Sequence, residues 1–264
     1  MRTRWVAVVA LALLTAACVD RTEAGRPTAA VTDPASAASA STETGASTVA
    51  PDRRVGAVFL GSETLHTCSG SVLDSAGGDL ILTAAHCMAD GVDAYFVPGY
   101  TGDLLPDDVW HVDAVYLDPR WLDDQNPLAD FAIARVSRDG AGSLEQAVGG
   151  GLALGLAPAP GTDVAITGYE LGIGGGPIGC RTATTAADQG FPSLPCAGMA
   201  DGTSGSPWVS GDAVVGLTGG LDGGGCEDDV SFSPPFDVAI SALLRRADQG
   251  GPGDDPPSAF DNGC

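Results

Sequence analysis

The chain has 264 residues, with 34 acidic and 12 basic side chains and a formal net charge of −22. This acidity argues against binding of nucleic acid or anionic membrane surfaces, because phosphate groups are bound by clustered cations. Hydrophobic residues make up 44% of the chain, and 38 glycines accompany few long helical patterns. This composition favours an all-β, loop-rich fold with a sizeable core.

The N-terminus has the pattern of an export signal over residues 1–18. Arg2 and Arg4 precede an apolar run at 5–14, which is too short to span a membrane, and small residues follow it. The segment 14–18 resembles a bacterial lipoprotein box, in which Cys18 would become the lipidated first residue. The alternative is ordinary cleavage near Ala17, which would leave a free thiol. The sequence therefore predicts a secreted protein, anchored to the membrane if Cys18 is acylated.

Composition divides the exported part into three. Residues 19–54 are rich in Ala, Ser and Thr and predict a disordered tether, because they cannot bury enough surface to offset the entropy of ordering. Residues 55–247 predict the folded domain, with an N-terminal half at 55–139 and a C-terminal half at 140–247. Residues 248–264, rich in Pro, Gly and Asp, predict a tail that is flexible unless it is tied.

Strand patterns run through most of the folded domain. The first strand is expected at 55–59, and segments 68–73 and 79–83 predict a hairpin around the turn 75–78. Further strands are expected at 94–97, 109–117, 130–136, 163–169, 180–185, 205–209 and 213–218. Helical spacing at 238–247 predicts a terminal helix.

The stretch Asp201–Trp208 contains the candidate nucleophile. Ser204 lies in a Gly-Thr-Ser-Gly-Ser-Pro run, where flanking glycines permit a tight bend around an exposed hydroxyl. A serine hydroxyl is a weak nucleophile and requires a base and an oxyanion hole. The backbone N–H groups of Gly202 and Ser204 are the candidates for that hole.

A candidate base and a candidate acid lie upstream. His86 directly follows a short apolar run and precedes Cys87, and Asp130 heads the apolar strand 131–134. The order His86, Asp130, Ser204 is one of three known for Ser-His-Asp enzymes. On these three blocks the chain resembles the trypsin-like (chymotrypsin-fold) serine endopeptidases, most closely the compact secreted bacterial branch, over roughly residues 55–245.

The resemblance implies two six-stranded antiparallel β-barrels with a short C-terminal helix and an active site between the barrels. Ser204 would form an acyl-enzyme, His86 would act as general base and then general acid, and Asp130 would orient the imidazole. Protein or peptide substrates, a monomer and no cofactor or metal are implied. The alternative function is a catalytically silent binding protein on the same scaffold. An esterase of unrelated fold fits less well, because its Gly-x-Ser-x-Gly motif is broken at Ser206.

The substrate pocket is also placed by resemblance. Its base would be Gly198, six residues before Ser204, and its wall would run through Thr218, Gly219 and Gly220. These residue types carry no charge and predict an open, neutral pocket for apolar or aromatic side chains.

The motif departs from the commonest family pattern at two positions. Thr203 replaces an aspartate that, in zymogen-type relatives, pairs with a newly cut N-terminal ammonium, and Ser206 replaces a glycine. Thr203 cannot form that ion pair, so we expect that no trimming is needed for activity. Ser206 precedes Pro207 and a strand, and its side chain is expected to pack rather than project.

Six cysteines besides Cys18 are available for disulfides, which exported proteins commonly form. The resemblance implies a bond between Cys68 and Cys87. For the others the first choice is Cys180–Cys196 with Cys226–Cys264, and the alternative is Cys196–Cys226 with Cys180–Cys264.

Overall fold

A computed structural model describes residues 45–225 and 229–258. The fold is mostly β, as the sequence predicts. In chain order, the strands in the described residues are β1 (Ser47–Thr48), β2 (Val55–Leu60), β3 (His66–Val72), β4 (Leu80–Thr83), β5 (Ala94–Pro98), β6 (Trp110–Leu117), β7 (Ala132–Ser137), β8 (Ala153–Leu154), β9 (Asp163–Gly168), β10 (Ile178–Ala183), β11 (Thr185–Asp188), β12 (Phe191–Pro195), β13 (Pro207–Ser210), β14 (Ala213–Leu217) and β15 (Val230–Phe232).

The N-terminal half closes into the expected six-stranded barrel. Its strands pair antiparallel in the order β2-β3-β4-β7-β6-β5. The interior is filled by fully buried apolar side chains, among which are Leu80, Leu82, Phe96 and Ile133. Strands β4 and β7 are buried on both faces over most of their length, which explains why their sequences are nearly continuous apolar runs.

The C-terminal half differs from the predicted second six-stranded barrel. Within the described residues its strands form a six-stranded sheet, β1-β10-β9-β13-β14-β8, and a separate three-stranded sheet, β11-β12-β15. Pro192 and Pro195 in β12 lack the N–H that a continuous ladder requires. The last strand of the larger sheet, β8, is a two-residue parallel partner of β14. The two sheets lie next to each other without forming one ladder: Gly219 N, just beyond β14, donates to Phe232 O of β15 at 3.0 Å.

Three α-helices lie among the described residues. Helix α1 (Pro119–Asp124) begins at an N-cap, Asp118, whose side chain accepts from Arg120 N. Helix α2 (Leu144–Val148), which was not predicted, begins at the N-cap Ser143 and ends at Gly149. Helix α3 (Val238–Gln249) confirms the predicted terminal helix and buries Ile240, Leu243 and Ala247.

The folded part begins earlier than the predicted tether, 19–54, allows. Strand β1 pairs with β10, Ala46 N donates to Ala197 O at 2.6 Å, and Val49 N donates to Pro177 O at 3.0 Å. These contacts are made by main-chain atoms, so the amino-acid composition of the segment gives no sign of them. The tether prediction is therefore wrong for residues 45–54, while residues 1–44, including the predicted signal and Cys18, lie outside the described part.

The predicted tail is tied to the barrel in its described portion, residues 248–258. Asp254 N donates to Val115 O at 2.7 Å, and the Asp254 carboxylate accepts from Leu117 N at 2.7 Å and pairs with Arg246. The segment is thus tied by Asp254 and by further bonds from Tyr116 Oη to Gly251 O at 3.1 Å and from Ala76 N to Asp248 Oδ1 at 3.0 Å. No helix in residues 45–225 and 229–258 is long and apolar enough to cross a membrane.

Candidate active site

Strand pairing brings His86 and Asp130 together. Strand β4 ends at Thr83, opposite Ala132 of β7, so the segments just beyond these residues are neighbours. His86 lies in a single 3₁₀ turn, Ala85–Cys87, and Asp130 follows another, Pro127–Ala129. The His86 Nδ1 atom lies 2.7 Å from Asp130 Oδ2, and His86 N donates to Asp130 Oδ1 at 3.0 Å. The carboxylate therefore fixes both the ring and its backbone.

Asp130 is fully buried but remains the charged partner. Burial raises the pKa of its carboxyl, yet the nearby His86, its side-chain bond and the N–H groups of Gly220 and His86 outweigh this effect and hold the pKa below its usual value. The Gly220 N–H donates at 2.8 Å to Oδ2, the same oxygen that contacts Nδ1. Because an ionised carboxylate only accepts, Nδ1 carries the imidazole proton and Nε2 is the basic nitrogen of the neutral ring.

The loop around Ser204 has a conformation that two glycines make possible. Gly202 and Gly205 have φ of +89° and +82°. A Cβ on Gly202 would collide with the backbone of Leu171, and one on Gly205 would collide with Ser69 O. The sequence pattern around the serine is therefore a steric requirement of this bend.

Hydrogen bonds to carbonyl groups orient the amides of this loop. Leu171 N donates to Asp201 O at 2.7 Å, and Ser206 N donates to Thr203 O at 2.9 Å. In a trans peptide the N–H points opposite to the C=O, so the N–H groups of Gly202 and Ser204 are turned away from these bonds. Neither amide donates to an acceptor within the described part of the chain. Two donors are thus left available on the side of the loop where an oxyanion hole is expected.

Ser204 lies beside the segment that carries His86. Its carbonyl accepts from Ser69 N at 2.7 Å, and Cys87 Sγ lies 3.8 Å from the same oxygen. Ser204 is partly exposed, whereas Ser206 is fully buried, and a Cβ on Gly168 would collide with its hydroxyl. Ser206 packs rather than projects, as the sequence predicts, which leaves Ser204 as the accessible serine of the motif.

Two disulfides lie in the described residues, and one of them adjoins the candidate base. Cys68 is bonded to Cys87, next to His86, and Cys180 is bonded to Cys196. The second bond excludes the alternative pairing of Cys196 with Cys226. Cys226 and Cys264 lie outside the described residues.

The four predicted pocket residues have different surroundings. Gly198 is exposed and lies beside Ala46 near the start of the described chain. Thr218 is buried, and its hydroxyl accepts from Trp208 Nε1 at 3.4 Å. A Cβ on Gly219 would lie 3.0 Å from Asp130 Oδ2, and one on Gly220 would lie 2.9 Å from the Phe191 ring.

Phe191 is a residue that sequence reasoning missed. It begins β12 in a stretch where no strand was predicted, and it is nearly fully buried against Gly220. The only local signal is a single aromatic between Gly190 and Pro192. Ser69 and Leu171, which bond to the nucleophile loop, were missed as well, because their roles are set by tertiary contacts.

The other two histidines lie apart from this site. His66 is buried, with Nε2 2.9 Å from Gly174 O, and His111 is exposed on β6. Among the described residues, one group of potential metal ligands is clustered, namely Cys68, His86 and Cys87. Both cysteines are in a disulfide and so cannot bind a metal as thiolates.

Comparison with known proteins agrees with this arrangement. The family model for the trypsin-like peptidase domain matches residues 68–217, more than half of the chain. The structure is similar to the protease Anisep from Arthrobacter nicotinovorans, with 22% identity, a TM-score of 0.66 and coverage of 78% of this chain and 100% of that one. It is also similar to the thermostable serine protease AL20 from an extremophilic microorganism, with 22% identity, a TM-score of 0.64 and coverage of 76% of this chain and 99% of that one. A Glu endopeptidase is similar as well, with 16% identity, a TM-score of 0.63 and coverage of 79% of this chain and 99% of that one.

No curated protein matches the sequence significantly. A closed β-barrel and a second β-rich half, with a buried aspartate paired to a histidine beside a Gly-x-Ser-Gly loop, define the chymotrypsin-like class of peptidases. The chain belongs to the trypsin-like peptidase family, and by class it is a serine endopeptidase.

Proposed function

We propose that this endopeptidase cleaves peptide bonds through an acyl-enzyme on Ser204, with His86 as base and Asp130 as its orienting acid. The observation that carries the proposal is the pairing of the buried Asp130 with the partly exposed His86 beside the Ser204 loop, with Nδ1 2.7 Å from the carboxylate. A carboxylate held in its charged form stabilises the imidazolium that appears when the base takes a proton.

In the first half of the reaction, Ser204 Oγ bonds to the scissile carbonyl carbon while His86 Nε2 takes the hydroxyl proton. The carbonyl oxygen becomes an oxyanion, which the N–H groups of Gly202 and Ser204 stabilise. His86 then gives the proton to the departing amine as the C–N bond breaks. In the second half, water replaces the amine: His86 takes a water proton, the acyl–Oγ bond breaks, and the proton returns to Ser204.

Hydrolysis of an unfolded protein such as casein tests this proposal. The wild-type protein should cleave it, whereas Ser204→Ala should be inert and Ser206→Ala should keep most of the activity. Both variants remove one hydroxyl from the same loop, so the comparison separates a nucleophile from a packing residue. Equal activity of wild type and Ser204→Ala would refute the assignment. An inert wild-type protein that still binds peptides would favour the catalytically silent binding protein.

For substrate choice we propose a neutral pocket bounded by Gly198, Thr218, Gly219 and Gly220. Phe191 against Gly220 adds an apolar surface to this region, which supports a preference for apolar or aromatic side chains before the cleaved bond. A cleavage profile on a mixed peptide library checks this preference. Cleavage mainly after Arg or Lys would overturn the proposal of a neutral pocket.

We further propose that the protein is exported, acts as a monomer and is attached to the membrane through an acylated Cys18. The two disulfides support an oxidising compartment. Expressed in a bacterium, the wild-type protein should partition into detergent-rich phases and membranes, and Cys18→Ser should move it to the soluble fraction. If both proteins are equally soluble, ordinary cleavage near Ala17 is the correct alternative.

A further inference from the structure

Ser69, on strand β3 of the N-terminal barrel, is bonded through every one of its polar groups. It is fully buried. Its N–H donates to Ser204 O at 2.7 Å, and its carbonyl accepts from Thr83 Oγ1 at 2.7 Å. Its hydroxyl contacts Gly202 O at 3.1 Å and Tyr169 N at 2.8 Å. One residue thus connects β4, which precedes His86, with the loop of Ser204 and the end of β9, and its side chain makes the bonds to Gly202 O and Tyr169 N.

The direction of the hydroxyl bonds follows from the partners. The Tyr169 amide can only donate, so Ser69 Oγ must accept there. The single hydroxyl proton is then directed at the carbonyl of Gly202, which can only accept. The chain of bonds runs from Tyr169 N–H through Ser69 O–H to Gly202 O, and neither end permits the reverse order.

This bond completes a set that orients four consecutive peptide groups. The carbonyls of Asp201, Gly202, Thr203 and Ser204 each accept a hydrogen bond, from Leu171 N, Ser69 Oγ, Ser206 N and Ser69 N in turn. Ser69 supplies two of the four donors. Through Tyr169 it also holds the segment whose next-but-one residue, Leu171, supplies a third.

We propose that Ser69 is a positioning residue for the oxyanion hole: it holds the peptide groups around Ser204 so that the amides of Gly202 and Ser204 face the substrate carbonyl. The inference rests on the proposed function of Ser204. Position 203 has no charged side chain that could hold this loop, because it is a threonine whose hydroxyl bonds to Ala200 O at 2.7 Å. The neutral hydroxyl of Ser69 holds the loop instead, from the N-terminal barrel.

The test compares Ser69→Ala with Ser71→Ala. Both serines lie on the same face of β3 and are fully buried, but the hydroxyl of Ser71 has no hydrogen-bond partner in the described residues. Each variant loses one hydroxyl oxygen from a fully buried side chain, and both variants keep the main-chain hydrogen bonds of β3. Kinetics with a peptide amide selected from the library, and the rate of labelling by a fluorophosphonate probe, are measured for both.

We expect Ser69→Ala to lower kcat about 10-fold with KM changed less than 2-fold, a smaller loss than the roughly 10²- to 10³-fold that removal of a direct oxyanion donor causes. The labelling rate should fall by a similar factor, because the phosphonyl oxygen occupies the same hole. Ser71→Ala should keep both rates within 2-fold of wild type. A merely structural role of Ser69 would instead lower the melting temperature of Ser69→Ala and leave its kcat unchanged.

The outcomes separate the two proposals. If the wild-type protein is labelled on Ser204 and Ser69→Ala keeps the wild-type kcat, the positioning role is wrong and the proposed function stands. If the probe labels Ser204→Ala as fast as wild type, the proposed function itself fails. If Ser69→Ala does not fold, Ser69→Cys replaces it, since a thiol fills the space but donates weakly. The same loss of kcat is expected, and an unchanged kcat again refutes the role.

Discussion

The N–H of Gly220 donates to Asp130 Oδ2 at 2.8 Å, the oxygen that also lies 2.7 Å from His86 Nδ1. Asp130 and His86 belong to the N-terminal barrel, while Gly220 follows β14 of the C-terminal half. A main-chain donor from one half thus fixes the acid that orients the base in the other. The carboxylate, buried and bonded in this way, has a single geometry to present to the imidazole.

Replacement of Asp130 by Asn should lower kcat about 10⁴-fold while the protein stays folded. The amide NH₂ would donate to Nδ1 and so favour the tautomer in which Nε2 carries the proton and cannot act as a base. Steady-state kinetics and circular dichroism check this prediction. Asp123→Asn, an exposed carboxylate on α1, is the matched control and should be fully active. Comparable kcat values for the two variants would contradict the role of Asp130.

Removal of each disulfide should cost similar stability but different activity. The bonds close spans of 19 and 16 residues, for which the chain-entropy model gives about 3 kcal/mol each. Cys68→Ser/Cys87→Ser should also lower kcat, because Cys87 adjoins His86, whereas Cys180→Ser/Cys196→Ser should keep kcat near wild type.

Urea unfolding measures the loss of stability in each double variant. Steady-state kinetics, at a temperature where both variants are folded, measure the change in kcat. If the two double variants lose the same fraction of activity, the Cys68–Cys87 bond has no special role in holding the histidine.

The protein should be active without removal of its N-terminal residues. Thr203 bonds to Ala200 and has no charge to pair with a new ammonium group. Strand β1, ahead of Val55, is already paired with β10. A recombinant chain of residues 19–264, verified as intact by mass spectrometry, should cleave casein at the rate of a trimmed sample. Activity that arises only after trimming would show that the loop needs a free N-terminus.

Asp118 should stabilise the fold in a pH-dependent manner. Burial raises the pKa of its carboxyl, but the side-chain and backbone bonds from Arg120 and its charge outweigh this effect and lower the pKa from 3.8. A group with a lowered pKa in the folded state adds stability above its unfolded pKa, and this stability is lost as the pH falls through the folded value. Asp118→Asn should therefore be less stable than wild type at neutral pH by about 1 kcal/mol.

The stability difference should shrink as the pH is lowered below the unfolded pKa of 3.8 and vanish below the folded pKa. Urea unfolding of both proteins at neutral pH and in acid measures it, with the exposed Asp123→Asn as the control that stays near zero throughout. A difference that persists unchanged in acid would assign the effect to packing rather than to charge.

The sequence revealed those parts of the site that are encoded locally. His86 and Asp130 each adjoin an apolar strand, and Gly202 and Gly205 flank a serine because a side chain there would strike the neighbouring backbone. Such signals lie within a few residues, and most strands of the N-terminal half and α3 were predicted from similar local patterns, whereas the barrel was implied by the resemblance to the trypsin-like peptidases.

The remaining features depend on contacts between distant segments. Ser69 looks like any strand serine until Tyr169 and Gly202 are placed on either side of its hydroxyl. Strand β1 has a composition typical of disorder and is held by main-chain bonds to β10. In β12, Pro192 and Pro195 obscured the strand pattern, so the separate three-stranded sheet and Phe191 were not predicted.

The most direct test of the central claim is to locate the covalent adduct of a fluorophosphonate by peptide mass spectrometry. The reagent mimics the tetrahedral intermediate and modifies a serine only where a base and an oxyanion hole activate it. We predict one adduct, on Ser204, formed at a rate that falls sharply in His86→Ala and Asp130→Asn. An unmodified wild-type protein, or an adduct on Ser206 or any other serine instead, would contradict the assignment of Ser204 as the nucleophile.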